Sequence, residues 1–148
     1  MKNLSVNVEK GFRLEKKKVH SFISKLIGDA ELKITNLEFN FVSAKTMIEI
    51  NKKYLNHNYD TDIITFDYSD ERNNLDGEIF ISLPQAVANS KIYRVTIDNE
   101  LLRLLIHGIL HMIGFDDVTA AKRIRMKKVE DGLVYKYKSY AKGLIKKL

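Results

Sequence analysis

Residues 98–117 read DNELLRLLIHGILHMIGFDD, and the meaning of this stretch decides the rest of the chain. Leu101, Leu104, Leu105, Ile106, Ile109, Leu110, Met112 and Ile113 fall around almost the whole circumference of a 3.6-residue helix. A helix over Asp98–Ile113 is therefore buried on most sides. Gly114 takes the left-handed conformation that ends it. Such a helix needs protein layers around it, and the flanking sequence must supply them.

Towards the N-terminus, Leu4, Val6 and Val8 alternate as in a strand, and Val19, Phe22, Ile23, Leu26 and Ile27 recur at helical spacing. Leu37, Phe39 and Phe41 alternate again up to Ser43, the N-cap of a helix with Met47, Ile50 and Tyr54 on its inner face. Residues 56–60 are loop. Ile63–Tyr68 and Glu78–Leu83 carry β-branched and aromatic residues on either side of Asp76-Gly77, a turn signal, and read as two paired strands. Pro84 suits the first turn of a short helix reaching about Tyr93. Beyond Gly114, a long basic helix follows from Thr119. The reading is an α+β fold in one domain, residues 1–148: a sheet of about four strands packed by helices, with the apolar helix of residues 98–113 buried at its centre.

Composition narrows the function. A chain of 148 residues suits a single core, and a single proline, seven scattered glycines and no repeat leave no linker. The N-terminal ten residues lack the apolar core of a signal peptide, and Leu101–Phe115 is shorter than the roughly 20 residues of a membrane span. The expectation is a cytoplasmic protein. Without cysteine, any metal must be held by nitrogen and oxygen ligands. The net charge of +6 is uneven: Ala120–Leu148 carries ten Lys or Arg against Glu130 and Asp131. A basic segment on a near-neutral body suits a polyanion, although a solvated helix face has the same composition.

His107 and His111 lie four apart, so their rings project from one helix face with β-carbons roughly 5–6 Å apart. Gly114 lets the chain fold back, and Asp117 becomes the third ligand. Three protein ligands with an open fourth position make a catalytic zinc site, one ion per chain, in contrast to two satisfied core histidines. Asp116 competes for the ion but reads better as a turn residue or as an acceptor of a histidine-ring hydrogen bond that fixes the tautomer. The spacing resembles that of zinc proteases of the His-Glu-x-x-His type. Gly108 stands where their glutamate would be, so peptide hydrolysis lacks its proton acceptor.

The run His107-Gly108-Ile109-Leu110-His111-Met112-Ile113-Gly114-Phe115-Asp116-Asp117 resembles the signature of the YbeY endoribonucleases, His-Gly-x-Leu-His-x-x-Gly-Tyr-Asp-His, with Asp117 at its last histidine. Thr61–Phe66, Gly77–Ser82 and the Met126/Glu130 pair are similar to further segments of that family. The resemblance implies a single-strand-specific RNA endonuclease acting in ribosomal RNA maturation, including the small-subunit RNA 3′ end, and in ribosome quality control. Its partners would be ribosomal RNA and the small ribosomal subunit, with no membrane. One departure is Leu55, where the family places a catalytic arginine. Arg103, one turn before His107, and His57 are candidates to replace that arginine, and Glu100 is the candidate proton acceptor; each has a packing or surface role as its alternative. The competing function is a non-catalytic ribosome- or RNA-binding assembly factor with a structural metal.

Overall fold

A computed structural model describes residues 3–145. The elements follow in the order β1 (Leu4–Val8), α1 (Lys16–Asp29), β2 (Lys33–Val42), α2 (Ala44–Leu55), β3 (Ile63–Asp67), β4 (Asn74–Ser82), α3 (Leu83–Tyr93), α4 (Ile97–Met112) and α5 (Ala120–Lys136), with a short 3-10 turn at Lys138–Tyr140. The strands form one sheet in the order β1-β2-β4-β3. β1 pairs with β2, and β2 with β4, in parallel, while β3 runs antiparallel to β4 at the edge. The α+β reading of the sequence holds.

The period-2 pattern of the strands sorts two cores. Leu37, Phe39 and Phe41 of β2 and Leu75, Ile79 and Ile81 of β4 are buried with Phe22, Ile23 and Ile27 of α1 and the apolar residues of α4. On the other face a smaller cluster, Val42, Met47 and Ile64, is backed by Ile50, Phe66 and Phe80. The α4 helix is as enclosed as its sequence demands: Leu101, Leu102, Leu104, Leu105, Ile106, Ile109, Leu110 and Met112 are all buried. Each such side chain contributes roughly 1.5–3 kcal/mol by leaving water, so α4 is the main energetic anchor of the fold.

Helix starts follow local chemistry. Ser43, Ser82, Thr96 and Thr119 each accept a hydrogen bond from the backbone N–H three residues on, satisfying a donor that the first helical turn leaves open. Pro84 sits in the first turn of α3, where its missing N–H costs nothing. Gly114, at φ +106°, ends α4.

Two local readings are corrected. Asp76-Gly77 is not a turn: both residues lie inside β4, and the chain reverses at residues 68–73, where Asn74 N–H donates to Glu71 O at 3.2 Å. Gly77 is there for clearance. A β-carbon at this position would collide with the Phe66 carbonyl of β3 and reach 2.9 Å from Met112 Cε. Tyr54, assigned to the inner face of α2, is 59% exposed and packs edge-on against Phe66, while Asn51 is buried in its place. The Asn51 amide donates to Tyr59 O at 2.9 Å and ties the loop after α2 to the helix.

Candidate active site

Helix spacing alone brings Glu100, Arg103 and His107 to one flank of α4, at intervals of three and four residues. That flank meets α5, and together they line a cleft of about 540 Å³ that also contains Tyr93, Asp117, Arg123, Met126 and Glu130. The opposite flank faces the sheet. There a β-carbon on Gly108 would lie 3.0 Å from Ile79 Cδ1 and 3.3 Å from Ile63 Cδ1, so the helix lies close on the strands. The position that carries a glutamate in the zinc proteases therefore points into apolar core, where a carboxylate would be both useless to catalysis and costly to bury.

The cleft is organised by ions. Arg103 Nε and Nη2 donate to Glu100 Oε1 and Oε2 at 2.8 and 2.6 Å, a bidentate pair. Arg103 Nη1 reaches Glu130 Oε2 at 3.4 Å, and Nη2 lies 3.7 Å from Asp62 Oδ2. Glu100 sits in the first turn of α4 but is only 1% exposed, and its Oε2 also accepts from Asn89 Nδ2 at 3.1 Å. Asn89 in turn donates to Asp62 Oδ2 at 3.0 Å. The hydrogen bonds to Glu100 hold the Arg103 guanidinium well above its ordinary pKa, against the opposing effect of burial.

Glu130 joins this network to the histidine. Its Oε1 lies 2.7 Å from His107 Nδ1. Burial pushes the Glu130 carboxyl up, but the His107 and Arg103 interactions together prevail and hold it below the usual range. An ionised carboxylate only accepts, so His107 Nδ1 must donate, which leaves Nε2 as the ring's free lone pair in the neutral form.

The remaining candidates divide between neighbouring clefts. Asp117 shares the cleft of His107, is exposed, and accepts from Arg123 Nη1 through its carbonyl at 3.2 Å. His111 opens on a second cleft of about 410 Å³, lined by Asp67, Ser69, Asp70, Glu71, Arg72, Gly114 and Asp116. Asp116 is a turn residue: its Oδ1 accepts from Val118 N–H at 3.0 Å, and that bond, with Lys122 and His111, holds its carboxyl low despite some desolvation. Among the described residues, no three His, Asp or Glu side chains gather closely enough to hold an ion. His57 and Leu55 lie apart from these clefts, in a groove of about 260 Å³ with Tyr59, and the His57 ring stacks on Tyr59 at 5.2 Å.

Sequence reading missed Asp62 and Asn89 as members of the network and gave Glu130 no role. A signal existed for Asn89, a polar residue at a core position of α3, but its partners Asp62 and Glu100 come from the loop before β3 and from α4, which no local pattern connects.

Comparison with known proteins agrees with this architecture. The model of the family described as endoribonuclease YbeY matches residues 5–138. A Karelsulcia muelleri protein named endoribonuclease YbeY is 45% identical over 98 residues, 66% of this chain and 69% of its own length. A Bacteroides fragilis protein of the same name is 37% identical over 118 residues, 80% of this chain and 84% of its own. The solution structure of a Thermotoga maritima protein superposes with a TM-score of 0.63 at 26% identity, covering 92% of both chains.

Proposed function

This chain belongs to the YbeY endoribonuclease family, and from that membership we propose that it is a zinc-dependent, single-strand-specific endoribonuclease. Its place would be ribosomal RNA maturation at the 3′ end of the small-subunit RNA, and ribosome quality control on the small subunit, within the cytoplasm. Among the described residues no helix is long and apolar enough to cross a membrane. The observation that carries the reading is the 2.7 Å contact between His107 Nδ1 and Glu130, which leaves Nε2 for a ligand.

His107, His111 and Asp117 would hold the ion once His111, which opens on the neighbouring cleft, and the exposed Asp117 converge on His107, since two imidazoles and a carboxylate are a donor set suited to zinc. A bound zinc ion polarises a phosphoryl oxygen and acidifies water. Glu130 fixes the tautomer and orientation of the His107 ring. Glu100 and Arg103, read from the sequence as catalytic candidates, have their charges committed to each other, to Glu130 and to Asp62. We assign them to holding the cleft wall and His107 in place.

The test is cleavage of a single-stranded RNA that stops with chelator and returns with zinc, with no cleavage and no zinc retained by His107→Ala or His111→Ala. Full zinc occupancy in either variant removes the site. The second reading, an RNA-binding assembly factor with a structural metal, is favoured by exposed Leu55, where the resemblance puts an arginine. It wins if zinc-loaded protein binds RNA without cutting it and chelator unfolds it.

A further inference from the structure

Arg103 already has its charge committed to Glu100, Glu130 and Asp62, so a further cation that meets RNA beside the histidines is to be sought elsewhere. Among the described residues near the end of α4, Arg72, in the turn between β3 and β4, and Arg125, on the second turn of α5, have no ion-pair partner, and neither does Arg123, which donates to the Asp117 carbonyl. Arg72 and Arg125 share a cleft of about 320 Å³ with Ile113, Gly114, Phe115, Asp116 and Lys122. Arg72 lies across Gly114, with its Cζ 2.8 Å from where a β-carbon would stand. Arg125 is held over the Phe115 ring, its Cζ 5.5 Å from the centroid, which fixes the guanidinium before any ligand arrives. Lys122 Nζ is 3.5 Å from Asp116 Oδ2, so the one acid of this cleft already has its counter-charge.

On the other side of Arg72 the sign reverses. The cleft into which His111 opens contains Asp67, Asp70, Glu71 and Asp116 against Arg72 and His111. A phosphodiester is repelled from that side and attracted to the one with Lys122 and Arg125. We infer that Arg72 and Arg125 form a phosphate-binding subsite that grips the backbone of a single-stranded RNA next to His111, with Lys122 offsetting Asp116 beside them. This rests on the ribonuclease reading of the same region. Gly114 acquires a second purpose, because its missing side chain admits the Arg72 guanidinium to the wall shared by the two clefts. Such contacts position the strand without reading its bases.

The experiment measures binding of a fluorescein-labelled oligouridylate across a salt series, together with its cleavage, for wild type, Arg72→Ala, Arg125→Ala and Lys17→Ala. Lys17 is an exposed lysine of α1, the helix that packs against β1 at the opposite edge of the sheet, and controls for net charge. Arg72 and Arg125 are exposed, and thermal melts confirm that each variant is folded. Each arginine variant should bind about five- to tenfold more weakly at ~0.1 M salt, with a logarithmic salt slope shallower by ~0.7, the counterion release of one single-strand phosphate contact. Lys17→Ala should match wild type. Wild type that cleaves, with arginine variants of unchanged affinity and slope, overturns the subsite and leaves the nuclease standing. If wild type binds but never cleaves while both arginine variants lose slope, the subsite is upheld and the nuclease reading falls.

Discussion

Replacing Arg103 with methionine tests the buried network directly. The substitution keeps much of the side-chain volume but removes the charge between Glu100, Glu130 and Asp62. Glu130 keeps His107, whereas Glu100, 1% exposed, is left with Asn89 alone. Breaking a buried pair on one side costs about 3–5 kcal/mol. Arg103→Met should therefore lose about 3–4 kcal/mol at pH 7, or roughly 10 °C in Tm. Adding Glu100→Gln should restore at least half. Urea unfolding of the wild type and both variants at pH 7 checks this. A loss under about 1 kcal/mol at pH 7, combined with weakened RNA binding, would refute the reasoning and return Arg103 to a phosphate contact.

The same chemical change at two glycines should have opposite signs. In β4, Gly77→Ala meets the Phe66 carbonyl and Met112 and should cost at least about 2 kcal/mol. In α5, Gly132→Ala meets nothing within 4 Å and should gain about 1 kcal/mol, read from urea midpoints; equal effects would deny the close approach of β3 to Gly77. At high pH, Tyr137 offers a third test: burial and its 2.6 Å hydrogen bond to Asp29 push its hydroxyl up to about 12. A raised phenol contributes stability that is complete below its unfolded pKa of about 10 and is lost as pH climbs through 12. The advantage of wild type over Tyr137→Phe should therefore shrink between pH 8 and pH 11, and a constant gap would remove the assignment.

What the sequence disclosed and what it hid have physical causes. The α4 helix was legible because its apolar residues follow a period that only a helix satisfies, and Ser43 and Thr119 because capping is chemistry between near neighbours. Gly77 was misread because Asp-Gly suits a tight turn as well as it suits a close approach of strands, and only the position of Phe66 distinguishes them. Glu100 looked like a proton acceptor or a surface acid, since its burial against Asn89 follows only once α3 and α4 have packed. His107, His111 and Asp117 were conspicuous by residue type and spacing. That they open on two clefts, and that Glu130 orients the first of them, depends on how α5 lies against α4, which spacing within one helix does not encode.

On its side of the sheet α2 is secured by Met47 and Ile50 over Val42, Ile64 and Phe80, and at its start by Ser43 N–H and the Thr46 hydroxyl, which donate to Glu9. Its detachment breaks this small cluster and leaves the large one on the other face whole, so it is the natural unit of sub-global opening. Amide protons of residues 44–55 then exchange with deuterium through that partial opening, well ahead of those of α4, which wait for the entire molecule to unfold. In this protein the loop bearing His57 and Tyr59 is tethered to that looser unit through Asn51. The groove beside it should therefore open independently of the histidine helix, with faster amide exchange as its sign.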